Sequence, residues 1–113
     1  MNVISIHEYR GAARLDQAVA AAAKARKPLF VGEFGVPGAP SEATRRQFAE
    51  LLGRIEAARV PLAALWVFDY RGQGEWNVTA ANDRAWQLEA VAEANRRLRQ
   101  ASPAARSVTS PAR

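Results

Sequence analysis

The sequence predicts an α/β fold of three consecutive βα units with parallel strands. Short apolar runs alternate with longer stretches whose apolar residues recur at helical spacing. Pro, Gly or polar residues bound each run. The resulting order, β-α-β-α-β-α, implies a parallel sheet with right-handed crossovers.

The first strand is expected over residues 2–6, where Val3, Ile4 and Ile6 are apolar. It runs into His7-Glu8-Tyr9, and Arg10-Gly11 breaks it. Residues 13–26 read as a helix, with Leu15, Val19, Ala22 and Ala23 on one face. Its alanines have the best helix propensity, and Lys24, Arg26 and Lys27 suit the negative end of its dipole. Pro28 stops it.

The second strand, residues 29–33, is the centre of the chain. Its Phe-Val content and its Pro and Gly boundaries favour a buried parallel strand ending on the carboxylate of Glu33. A Gly- and Pro-rich loop over 34–40 follows. Ser41 is then a good N-cap, with Glu42 in the first turn. Phe48, Leu51, Leu52 and Ile55 form the buried stripe of a helix ending near Arg59, ahead of Pro61.

The third strand is expected over 62–68, Leu-Ala-Ala-Leu-Trp-Val-Phe, ending on Asp69-Tyr70 and a loop over 71–75. Thr79 or Asn82 is the expected cap of a last helix reaching Arg99, with Trp86, Leu88, Val91, Ala92 and Leu98 as its apolar positions. The organisation is thus one unit over 1–100 and a Ser/Pro/Ala/Arg tail over 101–113 expected to be disordered.

Composition narrows the function classes. The 113 residues suffice for one modest core. There is no cysteine and one histidine, which excludes a thiolate or His-rich metal site and points to no cofactor. A mixed site of His7, Glu33 and Asp69 stays open at this point. The net charge of +5 raises nucleic acid as a partner. The basic residues do not converge, however. They are spread along the helices, apart from Arg96-Arg97-Arg99, and read as solvated faces. No apolar run approaches the ~20 residues of a membrane span, so neither nucleic acid nor membrane is the expected partner. Residues 1–6 lack the pattern of a signal peptide, and the compartment stays open.

Each expected strand carries polar or aromatic groups at its C-terminal tip: His7 and Tyr9, then Glu33, then Trp66 to Tyr70. Parallel strands deliver those tips to one rim, where (β/α) barrels hold their active sites. The same positions also suit plainer roles. Glu33 at a strand end can cap a helix or pair with an arginine, His7 can be held by backbone, and Trp66 can be core. Three units do not close a barrel, which takes eight. Two bare parallel edges invite association with another chain or a further copy of this one.

Lys27-Pro28-Leu29-Phe30-Val31-Gly32-Glu33-Phe34-Gly35 resembles the seventh strand of glycoside hydrolase family 5, the cellulase-type (β/α)8 barrels. His7-Glu8-Tyr9 is similar to the His-x-Tyr at the end of that family's sixth strand, and Leu65-Trp66-Val67-Phe68-Asp69-Tyr70 to its eighth. Glu75-Trp76-Asn77-Val78 and Asn82-Asp83-Arg84 resemble the loop and last helix of bacterial members. The resemblance spans residues 1 to about 100 and keeps motif order.

It implies the C-terminal portion of a partial TIM barrel, the sixth to eighth βα units, acting on a β-glucan or mannan type of carbohydrate. Glu33 would be the catalytic nucleophile, with His7 and Tyr9 binding and tuning the site. Tyr9 would donate a hydrogen bond to the nucleophile, and Trp66 and Trp76 would hold the sugar. Family members are often secreted or periplasmic. One departure bears on activity. Retaining hydrolysis needs a second carboxylate, which the family supplies as a Glu after an Asn at the fourth strand, and no Asn-Glu occurs here. The isolated chain is therefore expected to have little or no glycosidase activity. Its expected partner is the missing N-terminal barrel portion or a further copy of itself. A non-catalytic truncated barrel, a self-associating α/β module and a metal-binding barrel fragment are the alternatives.

Overall fold

The computed structural model describes residues 2–9 and 12–102. It contains β1 (Ile4–Glu8), α1 (Ala13–Ala25), β2 (Leu29–Phe34), α2 (Glu42–Ala57), β3 (Leu62–Leu65), a single 3-10 turn (Arg71–Gln73) and α3 (Trp86–Ala101). The strands form one sheet in the order β1-β2-β3, and both pairings are parallel. The expected α/β class and strand direction are therefore observed. The break expected at Arg10-Gly11 and the tail from residue 103 lie outside the described residues.

Alternation along the strands sets which face is covered. Ile4 and Ile6 of β1, Leu29, Val31 and Phe34 of β2, and Ala63 and Leu65 of β3 pack into the core with the helices. Ser5 and His7 lie on the other face and are exposed, and Leu62 of β3 is 60% exposed. One hydrophobic core joins the sheet to all three helices, so the helices share one side.

Phe48 of α2 is the pivot of that core. Its ring is fully buried 6.1 Å from Phe34 of β2 and 5.2 Å from Trp86 of α3, edge-on to the latter. Burial of such a side chain contributes on the order of 1.5–3 kcal/mol. Arg45 lies 4.8 Å above the Trp86 ring, a cation–π contact on the same helix pair.

The helix ends follow their local chemistry. The Ser41 hydroxyl accepts from the Thr44 amide at 3.0 Å, the expected N-cap of α2. α1 closes on Arg26 in the left-handed region, φ 53°, where its amide and that of Lys27 bond back to Ala23 and Ala22.

Five expectations are corrected in detail. In α1 Leu15 and Ala22 are buried as expected, but Ala18 is buried with them and Ala23 is exposed. α2 ends at Ala57, before Arg59, which takes a left-handed φ of 51°. β3 stops at Leu65, not Phe68. The Trp66 amide still donates to the Phe34 carbonyl at 2.7 Å, but the chain then turns onto its own return segment. Val67 and Asp69 exchange backbone bonds with Trp76 and Val78, which takes their polar groups out of the sheet.

Finally, α3 begins at Trp86 with no side-chain cap. Thr79 and Asn82 instead bond each other's amides and so cap the turn that precedes the helix. Gln87 and Ala94 are the buried positions of α3, while Ala92 is exposed.

Candidate active site

His7 and Glu33 come together at the C-terminal rim of β1 and β2. The imidazole Nδ1 lies 3.4 Å from the Glu33 carboxylate, within reach of an ion pair when the ring is protonated. A bulge in β2 makes this possible. Ile6 pairs with Val31, but His7 pairs with Glu33, so Gly32 is an extra residue. Against β3 the same stretch again gains one residue, with Val31 opposite Ala63 and Phe34 opposite Leu65. Unbroken alternation would send Glu33 toward the helices beside Val31. The extra residue leaves Phe34 in the core and turns Glu33 to the open face with His7.

Both glycines of Gly32-Glu33-Phe34-Gly35 admit a close neighbour. A Cβ on Gly32 would stand 3.1 Å from His7 Nε2, and one on Gly35 would stand 2.5 Å from the Trp66 carbonyl oxygen. The Trp76 ring also lies over Gly35. The motif thus lets the imidazole and the segment just after β3 approach the carboxylate-bearing strand from both sides.

The aromatic residues divide around this pair. The Trp66 indole donates to the Gln73 amide oxygen at 2.7 Å, which sets its ring against the 3-10 turn. Tyr9 meets Trp76 edge to face, with centroids 5.0 Å apart and planes at 68°. The His7 ring is 6.3 Å from Tyr9. Among the described residues no hydrogen bond joins Tyr9 to Glu33. The tyrosine is turned toward Trp76 instead.

Three polar residues shape the rim beyond the expected set. Glu8, next to His7, points to the core side and is 3% exposed, and its carboxylate accepts from the Tyr9 amide. Period-two alternation opposite His7 is the signal for that burial. Arg84 is equally buried, and its guanidinium donates to the carbonyls of Val36 and Gly38, in the loop just after Glu33. Burial pushes its pKa down, partly offset by Asp83 and Glu75. Asn77 accepts from the Tyr70 amide at 2.8 Å and so braces the return segment. The sequence signal for Arg84 was only its place in Asn82-Asp83-Arg84. No local pattern says that an arginine will bond a loop 46 residues away.

Asp69 does not join His7 and Glu33. Among the described residues no three His, Asp or Glu side chains form a group able to hold a metal ion. Arg96 and Arg97 spend their charge on carboxylates: Arg96 on Glu93, and Arg97 through two bonds to Glu56. Among the described residues no helix is long and apolar enough to cross a membrane. The chain matches no protein-family model, no curated protein and no solved structure.

Proposed function

We propose that the chain is the C-terminal part of a (β/α) barrel glycoside hydrolase of the cellulase type, with Glu33 as nucleophile. The observation that carries this reading is the bulged turn of Glu33 onto the open face, 3.4 Å from His7 and on the rim that bears Tyr9, Trp66 and Trp76. A carboxylate beside aromatic surfaces is what an oxocarbenium-like transition state requires.

The strand order supports the barrel. A doubly wound sheet reverses direction and puts helices on both faces. Here the order is sequential and the helices share one side, as they do when successive βα units curl into a barrel. Such a barrel would place His7 and Glu33 on its inner wall. Its remaining strands would pair with the free edges of β1 and β3.

In this reading the Glu33 carboxylate attacks the anomeric carbon and the leaving oxygen departs with a proton from a second carboxylic acid. Glu8 faces the core, so the acid comes from the rest of the barrel. The carbohydrate is a β-glucan or mannan type, and the completing partner is an N-terminal barrel portion. The test fuses this chain to five βα units of the family whose fourth strand ends in Asn-Glu. The fusion should hydrolyse aryl β-glycosides, the chain alone should not, and Glu33→Gln should abolish turnover. A fusion that folds and turns over equally well with Gln at 33 refutes the assignment.

A further inference from the structure

The open face of the sheet carries a second alignment, built on a residue that the glycosidase reading does not use. Ser5 lies two residues before His7 on β1, and both side chains stand on that face, exposed. They converge over Gly32. The spot that a Cβ on Gly32 would occupy is 3.2 Å from the Ser5 hydroxyl oxygen and 3.1 Å from His7 Nε2. The Glu33 carboxylate lies 3.4 Å from the other ring nitrogen, Nδ1. A hydroxyl, an imidazole and a carboxylate therefore follow one another in the order that a serine nucleophile needs.

The cross-strand neighbours of Ser5 supply an apolar bed. In register, Ser5 pairs with Phe30, and Phe30 pairs with Leu62. Phe30 is half-buried and stands outside the core cluster, and Leu62 is 60% exposed. The three make a row across the sheet, with the hydroxyl at one end and apolar side chains continuing from it. An acyl or aryl group resting on Phe30 and Leu62 would bring its carbonyl carbon to the hydroxyl.

We propose that Ser5, His7 and Glu33 form an acyl-transfer site for uncharged esters with an apolar acyl or aryl group. The Glu33 carboxylate holds the ring proton at Nδ1 and leaves Nε2 as the acceptor. Ser5 Oγ attacks the ester carbon as its proton passes to Nε2. The alkoxy oxygen leaves with that proton, and the acyl group stays on Ser5. Water then repeats the transfer: its proton goes to Nε2 and on to Ser5 Oγ as the acid departs. Among the described residues no hydrogen bond joins Ser5 to His7 at rest; such contacts are often long in a free enzyme and tighten when substrate binds. Glu33 touches His7 and not the ester, so it is a positioning residue here. The site needs only the open face of this chain and does not rest on the glycosidase reading.

The test is steady-state hydrolysis of p-nitrophenyl acetate and butyrate by the full chain, together with labelling by a fluorophosphonate, which bonds to an activated serine oxygen and expels fluoride. The chain should hydrolyse both esters with saturation and take up one label, on Ser5. Ser5→Ala and His7→Ala should each lower kcat by about a hundredfold. Ser5→Ala should also stop the labelling and, at an exposed position, keep the wild-type circular dichroism spectrum. Glu33→Gln should lower kcat by about tenfold with KM unchanged, and Glu33→Asp should recover part of that loss. Leu62→Ala should raise KM for the butyrate by about threefold and leave that for the acetate alone. The proposal is overturned if Ser5→Ala turns over esters as wild type, the mark of a bare imidazole attacking on its own. It is overturned equally if the label falls elsewhere than Ser5, or if Glu33→Gln keeps full kcat. None of these results bears on glycoside turnover by the completed barrel.

Discussion

Arg84→Met should destabilise the chain by about 3 kcal/mol, because a buried cation is stapling the loop after β2. Arg84 is 3% exposed, and its guanidinium supplies a donor to each of two loop carbonyls. Charge-assisted bonds of this kind contribute about 1.5–3 kcal/mol each. Val36 is itself buried, so its carbonyl would be stranded, whereas that of Gly38 can turn to water. Relief from burying the guanidinium offsets part of the loss, and the Met side chain keeps most of the stem packing. The net of about 3 kcal/mol corresponds to a melting temperature lower by roughly 10–20 °C in a domain of this size. Urea unfolding followed by circular dichroism measures it, with Arg84→Lys as the second variant. Lysine keeps the charge but not the fork, and should recover only part of the loss. A loss below about 1 kcal/mol for Met, or full stability for Lys, would refute the stapling argument.

Other expectations follow from single groups. The Arg97 bond holds the Glu56 carboxyl below its usual range, against a smaller opposing effect of burial. A depressed carboxylate stabilises the fold above its ordinary value, and that support fades as pH falls through the folded-state value, below about pH 4. Arg97→Ala should therefore lower the melting temperature at pH 7 and match wild type in strong acid; an equal gap at both ends contradicts this. Gln87 is fully buried and neither amide atom has a hydrogen-bond partner among the described residues, so Gln87→Met should raise stability by about 1 kcal/mol in chemical denaturation. A loss there would mean that the amide is engaged. Leu62 is 60% exposed on the β3 edge, so the isolated chain should sediment with a concentration-dependent mass that Leu62→Lys reduces. A wild-type chain that stays monomeric at high concentration argues against edge pairing.

The class of fold could be read directly from alternation and punctuation. Pro28, Ser41 and Pro61 mark boundaries that act within a few residues, and Phe48, Leu51, Leu52 and Ile55 all face the core as expected. The end of β3 could not be read. An apolar run such as Leu62 to Phe68 has no alternation to mark where it stops, and the decisive bonds come from residues 76–78. The pairing of His7 with Glu33 was anticipated as a shared rim, but the bulge that achieves it was not. Simple period-two counting from Leu29 and Val31 sends Glu33 the other way, and only the register with β1 reveals the extra residue. Arg84 and Gln87 were missed for a related reason: their burial depends on distant loops and helices, not on their neighbours in the chain. Tyr9 was placed on the correct rim, yet its ring goes to Trp76, a contact that spans more than sixty residues of sequence.

The most direct test of the central claim is mass spectrometry of the completed barrel after exposure to an activated 2-deoxy-2-fluoro glycoside, which slows release of a covalent glycosyl-enzyme. The account predicts one added sugar, carried on the peptide that contains residue 33 and lost in Glu33→Gln. An active barrel that is labelled on another carboxylate, or that turns over substrate with no covalent adduct, would contradict it.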